Sequence, residues 1–482
     1  MRFALNDQYI ECESGAPDRT ILELLRADLG QCGTKEGCAS GDCGACTVLV
    51  SSAPVLGPAA NAESAQNAYV TVNACIAPAA TLEGHHLITV EGLARDGVLH
   101  PAQQAMVDEH GSQCGFCTPG FVVSLAGLLD RHTGTGTLPR ETILESISGN
   151  LCRCTGYRPI IAAAERMLQQ PGRHALADLL ASPATPLPAR ADEPDAGGDF
   201  HRPTTEAALQ QLLREHPRAR LIAGGTDLML EHTQLYRDLG PLIDVRGIAE
   251  LCGVSTDGDV WRIGAAEPLT AVQAFFATEL PALEALLARY GSPQIRNRGT
   301  LGGNFGTGSP IGDLPPVMQA LGAELVIGSA AGTRRTLAAE DFHLDYRKTA
   351  LAPGEYLVEA RAPRPAADDL VRIRKFSKRF EDDISSVLGA ACVRRDAHAD
   401  AVRLAFGGVA AVPVRARAVE ALLNGGGQPA DMADDALRAA LAEDIRPIDD
   451  VRASAAYRFE MAFVFARDLR DALQAAPTEV SA

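Results

Sequence analysis

Cys114-Gly115-Phe116-Cys117-Thr118-Pro119-Gly120 and, after a helical interval, Asn150-Leu151-Cys152-Arg153-Cys154-Thr155-Gly156-Tyr157 decide how this chain is read. Two thiolate pairs brought together in this way supply four metal-coordinating sulfurs. Pro119 stands where a helix would begin, with Thr118 as its cap, and Phe121, Val122, Leu125, Leu128 and Leu129 follow at helical spacing. Pro139 opens a second helix through Thr142, Ile143 and Ile147, and Pro159 opens another. Cys117 and Cys154 are therefore expected just before helix N-termini, where unpaired backbone N–H groups offset negative charge on sulfur. That setting suits an anionic iron–sulfur cluster, although a structural zinc site also accepts a C-x-C pair.

Outward toward the N-terminus lies a second cysteine group. Residues 1 to 13 read as a hairpin turning at Asn6-Asp7, and Thr20 to Leu29 as a helix closed by Gly30. Cys38, Cys43 and Cys46 then follow with C-x4-C-x2-C spacing inside a Gly-rich loop, ahead of the strand Thr47–Val50. Cys75 ends the strand that begins at Tyr69. This is the plant-ferredoxin spacing for a 2Fe–2S cluster, whereas zinc ligands come as separate C-x2-4-C pairs. The glycines let the loop wrap closely with its N–H groups aimed at the cluster sulfurs. Ser51 to Asn67, rich in Ala and Ser, reads as a surface excursion. His85 and His86 are adjacent in a strand, so they point to opposite faces and do not share a metal.

The chain has 482 residues, enough for roughly three domains, and a formal charge of −17 that disfavours nucleic acid or an anionic membrane surface as partner. No apolar run approaches the ~18 residues of a membrane span. Met1 to Asp7 turns polar too early for a signal peptide, and a cytoplasmic location is expected. Among 12 cysteines, Cys12, Cys32, Cys252 and Cys392 are scattered and read as structural, and the other eight as metal ligands.

Gly37-Cys38, Gly41-Asp42-Cys43-Gly44-Ala45-Cys46-Thr47, the Cys114–Gly120 motif and Gly149–Tyr157 together resemble the iron–sulfur region of the xanthine oxidase family of molybdenum hydroxylases. The resemblance implies a ferredoxin-like domain and a four-helix domain with one 2Fe–2S cluster each. It assigns Cys38, Cys43, Cys46 and Cys75 to one cluster and Cys114, Cys117, Cys152 and Cys154 to the other.

Pro171 to Asp199, dominated by Ala, Pro, Asp and Gly, reads as a linker. Thr204 to Glu215 then reads as an amphipathic helix and Ala219 to Ala223 as a strand, running into Gly224-Gly225-Thr226-Asp227. A Gly-rich turn after a strand lets backbone N–H groups approach a diphosphate, but the G-x-G-x-x-G spacing of a Rossmann fold is missing. A second stretch, Arg298 to Asp313, interleaves Gly, Thr and Asn with Leu301 and Phe305. The pair resembles the phosphate-binding segments of the same family's FAD domain. That resemblance places FAD on Leu221, Ile222, Ala223, Gly224, Gly225, Thr226, Asp227, Leu228, Thr300, Gly302, Gly303 and Asn304, with Tyr290, Asp313, Leu357 and Lys375 as further contacts. It also places Tyr346 and Asp382 beside the region of hydride transfer to NAD. On composition alone, Ser377 to Ile384 reads as a solvated loop.

The expected fold is α+β and multidomain. A β-grasp ferredoxin-like domain spans 1–86, a helical 2Fe–2S domain 87–169, a linker 170–199, a two-part α+β FAD-binding domain 200–365, and an α+β cap 366–482. No molybdopterin-binding region is expected beyond residue 482, and on that expectation the chain resembles the small subunits of bacterial xanthine dehydrogenases. The resemblance implies a partner large subunit carrying the molybdopterin cofactor, a heterotetramer of two small and two large chains, and NAD as acceptor during hypoxanthine and xanthine oxidation to urate. No catalytic residue for purine hydroxylation is expected on this chain. An iron–sulfur/FAD subunit serving another molybdenum hydroxylase, for aldehydes or N-heterocycles, or a non-enzymatic iron–sulfur carrier, remains open.

Overall fold

The N-terminus does give the hairpin expected from the Asn6-Asp7 turn. Strands β1 (Arg2–Leu5) and β2 (Gln8–Glu11) pair antiparallel around Asn6, which takes the left-handed conformation that a tight turn needs. The computed structural model describes residues 1–13, 15–56, 69–132, 136–169, 176–179, 199–395, 401–425 and 432–474. Residues 57–67 of the expected excursion and most of the expected linker lie outside them, while Val55 and Leu56 at its start donate to the Gly84 carbonyl. The chain divides into two compact units: Met1–Pro203 with Arg218–Asp244 and Gly291–Gly299, and Thr204–Pro217 with Val245–Tyr290 and Thr300–Ala482.

In the first unit, β1 and β2 join β3 (Thr47–Ser51), β4 (Tyr69–Asn73) and β5 (His86–Ile88) in the order β2-β1-β5-β3-β4. The β1–β5 pair is parallel inside an otherwise antiparallel sheet, which is a β-grasp arrangement. Thr20 caps the helix packed on this sheet through a capping box with Glu23, but the helix turns into a π-helix over Leu24–Asp28. Leucine spacing alone carries no sign of that change. The two neighbouring histidines do face apart: His86 is buried between the Tyr69 hydroxyl (2.6 Å) and the Asn6 carbonyl (2.7 Å), while His85 meets the Ser51 carbonyl. Burial holds His86 down to about 4.

Four helices follow: Pro101–Asp108, Thr118–Arg131, Arg140–Ile147 and Arg158–Leu168. Phe121, Leu125, Ile143, Ile160, Ala164 and Met167 close their shared core. Burial of each large side chain there contributes about 1.5–3 kcal/mol. Two boundaries differ from expectation. Cys117 rather than Thr118 is the N-cap of Thr118–Arg131, and Tyr157, left-handed at φ 68°, stands between Cys154 and the helix Arg158–Leu168. Cys154 therefore lies outside that helix end. Within the expected linker, Leu176–Leu179 forms one 3-10 turn, its Leu176 N–H donating to Asp130. Strands β6 (Phe200–His201), β7 (Arg220–Ile222) and β8 (Leu242–Asp244) make a parallel sheet in the order β6-β8-β7.

The second unit has its own sheets. Strands β9 (Val254–Asp257), β10 (Val260–Gly264), β11 (Glu324–Ser329), β12 (Arg334–Ala338) and β15 (Glu355–Pro363) form an antiparallel sheet ordered β12-β11-β15-β10-β9. β13 (His343–Asp345) and β14 (Lys348–Thr349) make a short hairpin. β16 (Leu370–Phe376), β17 (Val387–Arg394), β18 (Ala401–Gly407) and β19 (Val414–Arg415) form an antiparallel meander, with helices Arg417–Asn424, Asp434–Asp444 and Ala455–Gln474. β17 is buried on both faces, between the helices Leu314–Leu321 and Ala455–Gln474, which is why its sequence is an unbroken apolar run. No helix among the described residues is long and apolar enough to cross a membrane.

Candidate functional site

The first cysteine group is assembled by the loop between the N-terminal helix and β3. Cys46 and Cys75 are buried with their sulfurs 3.3 Å apart, and Cys38 and Cys43 are half-buried. The N–H groups of Ser40 and Cys43 donate to the Cys38 sulfur at 3.4 and 3.3 Å. Close wrapping explains the glycine at 37, where a Cβ would lie 2.7 Å from the Cys43 sulfur. Hydrogen bonds from Cys43 and Cys75 pull the Cys38 thiol far down, while their contact with Cys38 pushes both donors up. Four thiols packed like this cannot all ionise unless a cationic group neutralises them. The donor set therefore fits a cluster of ferric or ferrous ions.

In the second group Cys114 and Cys154 are exposed and Cys117 and Cys152 half-buried. The Thr155 hydroxyl and amide donate to the Cys152 sulfur at 3.1 and 3.4 Å. Burial raises the Cys152 thiol, but these hydrogen bonds turn the net shift downward, and burial raises Cys117 to about 12. Phe116 and Leu151 stand beside this group with 48% and 45% of their surface exposed. The group thus opens onto an apolar surface. Among the described residues no three or more of His, Cys, Asp or Glu are placed around a single metal ion.

The two cysteine loops touch. Leu151 N–H donates to the Cys43 carbonyl at 3.0 Å, and Asn150 Nδ2 to the Gly44 carbonyl at 3.0 Å. Gly44 has φ 65°, and a Cβ there would collide with the Gly149 carbonyl. Thr47, Ser124 and Gln294 complete the polar contact around Asn150. Of these, Gly44, Thr47 and Asn150 fall inside cysteine motifs, whereas Gln294 and Ser124 carry no signal in the sequence.

Leu221–Leu228 belongs to the first unit; of the second Gly-rich segment, Arg298 and Gly299 belong to the first unit and Thr300–Asp313 to the second. Leu221 and Ile222 end β7, and Gly224, Gly225 (φ 79°), Thr226 and Asp227 turn into the helix Met229–Thr233 by way of Leu228. Gly224 is needed because a Cβ would strike the Arg298 carbonyl, and the buried Arg298 donates back to the Gly224 carbonyl at 3.1 Å.

In the other segment Thr300 caps the short helix Leu301–Gly306, its hydroxyl accepting from Gly303 N–H at 2.9 Å. Gly302 N–H donates to the Ala265 carbonyl at 3.0 Å. These glycine amides are thus committed within the protein, and Gly302 serves close packing against Ala265. Asn304 Nδ2 donates to the Tyr290 hydroxyl at 2.8 Å, while its Oδ1 accepts from Leu314 N–H. Asp313 and Lys375 form a buried ion pair at 2.9 Å, with Ser385 donating to the other carboxylate oxygen at 2.5 Å and Lys375 also donating to the Arg289 carbonyl. Leu357 sits on β15 opposite Ile327.

Tyr346, 60% exposed, lies in the β13–β14 turn, and Asp382 in the loop after β16 at φ 46°. The same loop is gripped by Arg289, whose guanidinium lies 4.5 Å from the Phe380 ring and donates to the Phe380 and Lys375 carbonyls.

Four family models match in series. They are a 2Fe-2S iron-sulfur cluster binding domain at residues 3–80 and a [2Fe-2S] binding domain at 89–165. An FAD binding domain in molybdopterin dehydrogenase follows at 195–365, and a CO dehydrogenase flavoprotein C-terminal domain at 372–472. The chain is 32% identical to xanthine dehydrogenase 1 of Arabidopsis thaliana over 88% of its own length and 36% of the relative's. It thus spans little more than a third of that protein. A chain of reconstituted CO dehydrogenase from Oligotropha carboxidovorans superposes with TM-score 0.52 at 30% identity, covering 57% of this chain and 96% of that one. A chain of quinoline 2-oxidoreductase from Pseudomonas putida 86 does so with TM-score 0.50 at 26% identity, covering 57% and 98%.

Proposed function

We propose that this chain, which belongs to the xanthine oxidase family of molybdenum hydroxylases, passes electrons from a molybdenum centre on a partner chain to NAD as part of a xanthine dehydrogenase. It has two 2Fe–2S domains, an FAD-binding domain and a flavoprotein C-terminal domain, and is the electron-transfer part of an oxidoreductase of that family. The observation that carries the relay is the direct contact of the two cysteine loops through Leu151 N–H and the Cys43 carbonyl. Cys38, Cys43, Cys46 and Cys75 hold the first cluster and Cys114, Cys117, Cys152 and Cys154 the second. Bound clusters supply one-electron transfer and bound FAD the exchange between single electrons and a hydride.

The chain's own residues support this order. Exposed Cys114 and Cys154, with the apolar Phe116 and Leu151, face outward to a molybdopterin-carrying large subunit, in a heterotetramer of two small and two large chains. The Cys38 group, half-buried at Cys38 and Cys43 and buried at Cys46 and Cys75, serves the flavin side. The proposed domain boundaries remain 1–86, 87–169, 200–365 and 366–482. FAD is held by Leu221–Leu228, Tyr290, Thr300, Gly302, Gly303, Asn304, Asp313, Leu357 and Lys375. The committed amides of Gly302 and Gly303 make that segment a shaped wall, and Asn304 and Tyr290 fix each other against it. The partner's reaction is the oxidation of hypoxanthine and xanthine to urate. The likeness to CO dehydrogenase and quinoline 2-oxidoreductase chains supports a second reading, in which the partner hydroxylates another substrate.

Tyr346 and Asp382 shape the NAD site. Asp382 has φ 46°, so Asp382→Asn, which also tolerates the left-handed region, removes charge without straining the loop. It is expected to change NAD reduction more than reduction of the enzyme by substrate, because a carboxylate near the flavin tunes its electronics. Stopped-flow measurement of the two half-reactions decides this, and equal losses in both would remove Asp382 from the acceptor site.

A further inference from the structure

The segment Gly291–Gly299 follows Tyr290 in sequence and precedes Thr300, yet it packs with the first unit. Its short helix Pro293–Arg296 begins at a buried Ser292 cap and is anchored on two sides. Arg296 donates to Glu145 at 2.8 Å, on the helix Arg140–Ile147, and Asn297 donates to the Thr71 carbonyl of β4 at 2.9 Å. Between these anchors Gln294, 1% exposed, reaches the place where the two cysteine loops meet.

Its amide nitrogen donates to Thr47 Oγ1 at 3.2 Å and to Asn150 Oδ1 at 3.3 Å. Thr47 follows Cys46 directly, and Asn150 lies two residues before Cys152. The rest of the knot is saturated: Thr47 Oγ1 donates to the Gly44 carbonyl at 2.7 Å, Asn150 Nδ2 to the same carbonyl at 3.0 Å, and Ser124 to Asn150 Oδ1 at 2.7 Å. Gln294 is thus a single side chain bonded to both cysteine loops.

The other half of the amide is as informative. Gln294 Oε1 is buried without a hydrogen-bond partner among the described residues, against Gly149. A buried, unpaired carbonyl oxygen costs free energy that an apolar side chain of the same volume would not. Methionine or leucine would fill this space without that cost, so cohesion alone does not account for glutamine here. What the amide adds is direction, through two N–H donors that fix the Thr47 hydroxyl and the Asn150 carbonyl relative to each other.

We propose that Gln294 is a positioning residue for electron exchange between the two iron–sulfur centres, setting how closely the Cys43–Thr47 and Asn150–Cys154 segments approach. The inference rests on the two-cluster reading above. The step is a one-electron exchange: one centre loses an electron, the other gains it, no bond forms or breaks and no proton moves. Gln294 touches neither set of sulfurs and acts only through Thr47 and Asn150.

The test is Gln294→Met in the full chain. The substitution keeps the volume and leaves the Arg296 and Asn297 anchors in place. Iron and FAD content are expected to equal those of the wild type. The magnetic interaction between the reduced clusters, read by low-temperature electron paramagnetic resonance, is expected to weaken, with a shift in the midpoint potential of at least one cluster. Unaltered splitting and potentials at full iron content would overturn the proposal. Loss of iron from either site would overturn it too, by making Gln294 a structural residue. Should Gln294→Met yield no folded protein, Ser124→Ala removes one of the two donors to Asn150 Oδ1 and is read the same way, with a wild-type spectrum again overturning the idea. Absence of iron from the wild type would instead refute the two-cluster reading.

Discussion

Cys117→Ala is expected to abolish substrate-dependent NAD reduction in the assembled enzyme while leaving NADH oxidation by an artificial dye at FAD intact. Three thiolates leave one iron under-coordinated, so the cluster at Cys114, Cys117, Cys152 and Cys154 is lost or disabled. The exposed Cys114 and Cys154 beside Phe116 and Leu151 make this the site through which electrons would enter. The NADH–dye reaction never visits it in the proposed order. Cys117 is also the N-cap of Thr118–Arg131 but makes no side-chain cap bond, and that helix is held by the buried Phe121, Leu125 and Leu128. Folding, FAD content and assembly with the partner are therefore expected to survive and serve as controls. A parallel fall of both activities in a variant that still binds FAD would reverse the assigned order.

The second large effect lies in the other unit. Lys375→Met strands Asp313 without its ion-pair partner at a site where the two side chains are 2% and 5% exposed. Breaking a buried pair by removing one partner costs about 3–5 kcal/mol, because the remaining charge stays desolvated. Among the described residues, Ser385 then remains to bond the carboxylate. The double variant Asp313→Asn, Lys375→Met removes the stranded charge and is expected to recover part of the loss. Denaturant unfolding of the flavin-free protein separates this effect from any loss of FAD binding. A Lys375→Met midpoint within error of the wild type would show that the pair does not hold the β16 end in place.

What the sequence makes legible is local. The eight cysteines, the proline-started helices and the strands beside Gly-rich turns all follow from spacings within a few residues, and the Asn6 turn and the Thr20 capping box are visible in the same way. Long-range closures are not visible. Asp313 and Lys375, read through the family resemblance as separate flavin contacts, are each other's partners across 62 residues. Gln294 meets Thr47 across 247 residues and Asn150 across 144, and nothing in Ser292-Pro293-Gln294-Ile295-Arg296 announces it.

The glycines at 302 and 303 show a related limit. A Gly-rich stretch suggests free backbone donors, but the Thr300 hydroxyl and the Ala265 carbonyl have claimed those amides. The π turn at Leu24–Asp28 keeps its leucines buried, so apolar spacing alone reads as an ordinary helix. Cys154 was expected at a helix end because Pro159 marks one, but left-handed Tyr157 intervenes, and its hydroxyl accepts from Cys152 N–H at 3.0 Å.

The central claim is that one chain binds two distinct 2Fe–2S clusters and one FAD as a continuous relay. Spin-quantified electron paramagnetic resonance of the reduced, purified chain, with metal and flavin analysis of the same sample, tests it most directly. The expected result is about four irons and one flavin per chain, with two separate cluster signals of equal intensity. A single cluster signal, iron near half that amount, or zinc as the main metal would contradict it.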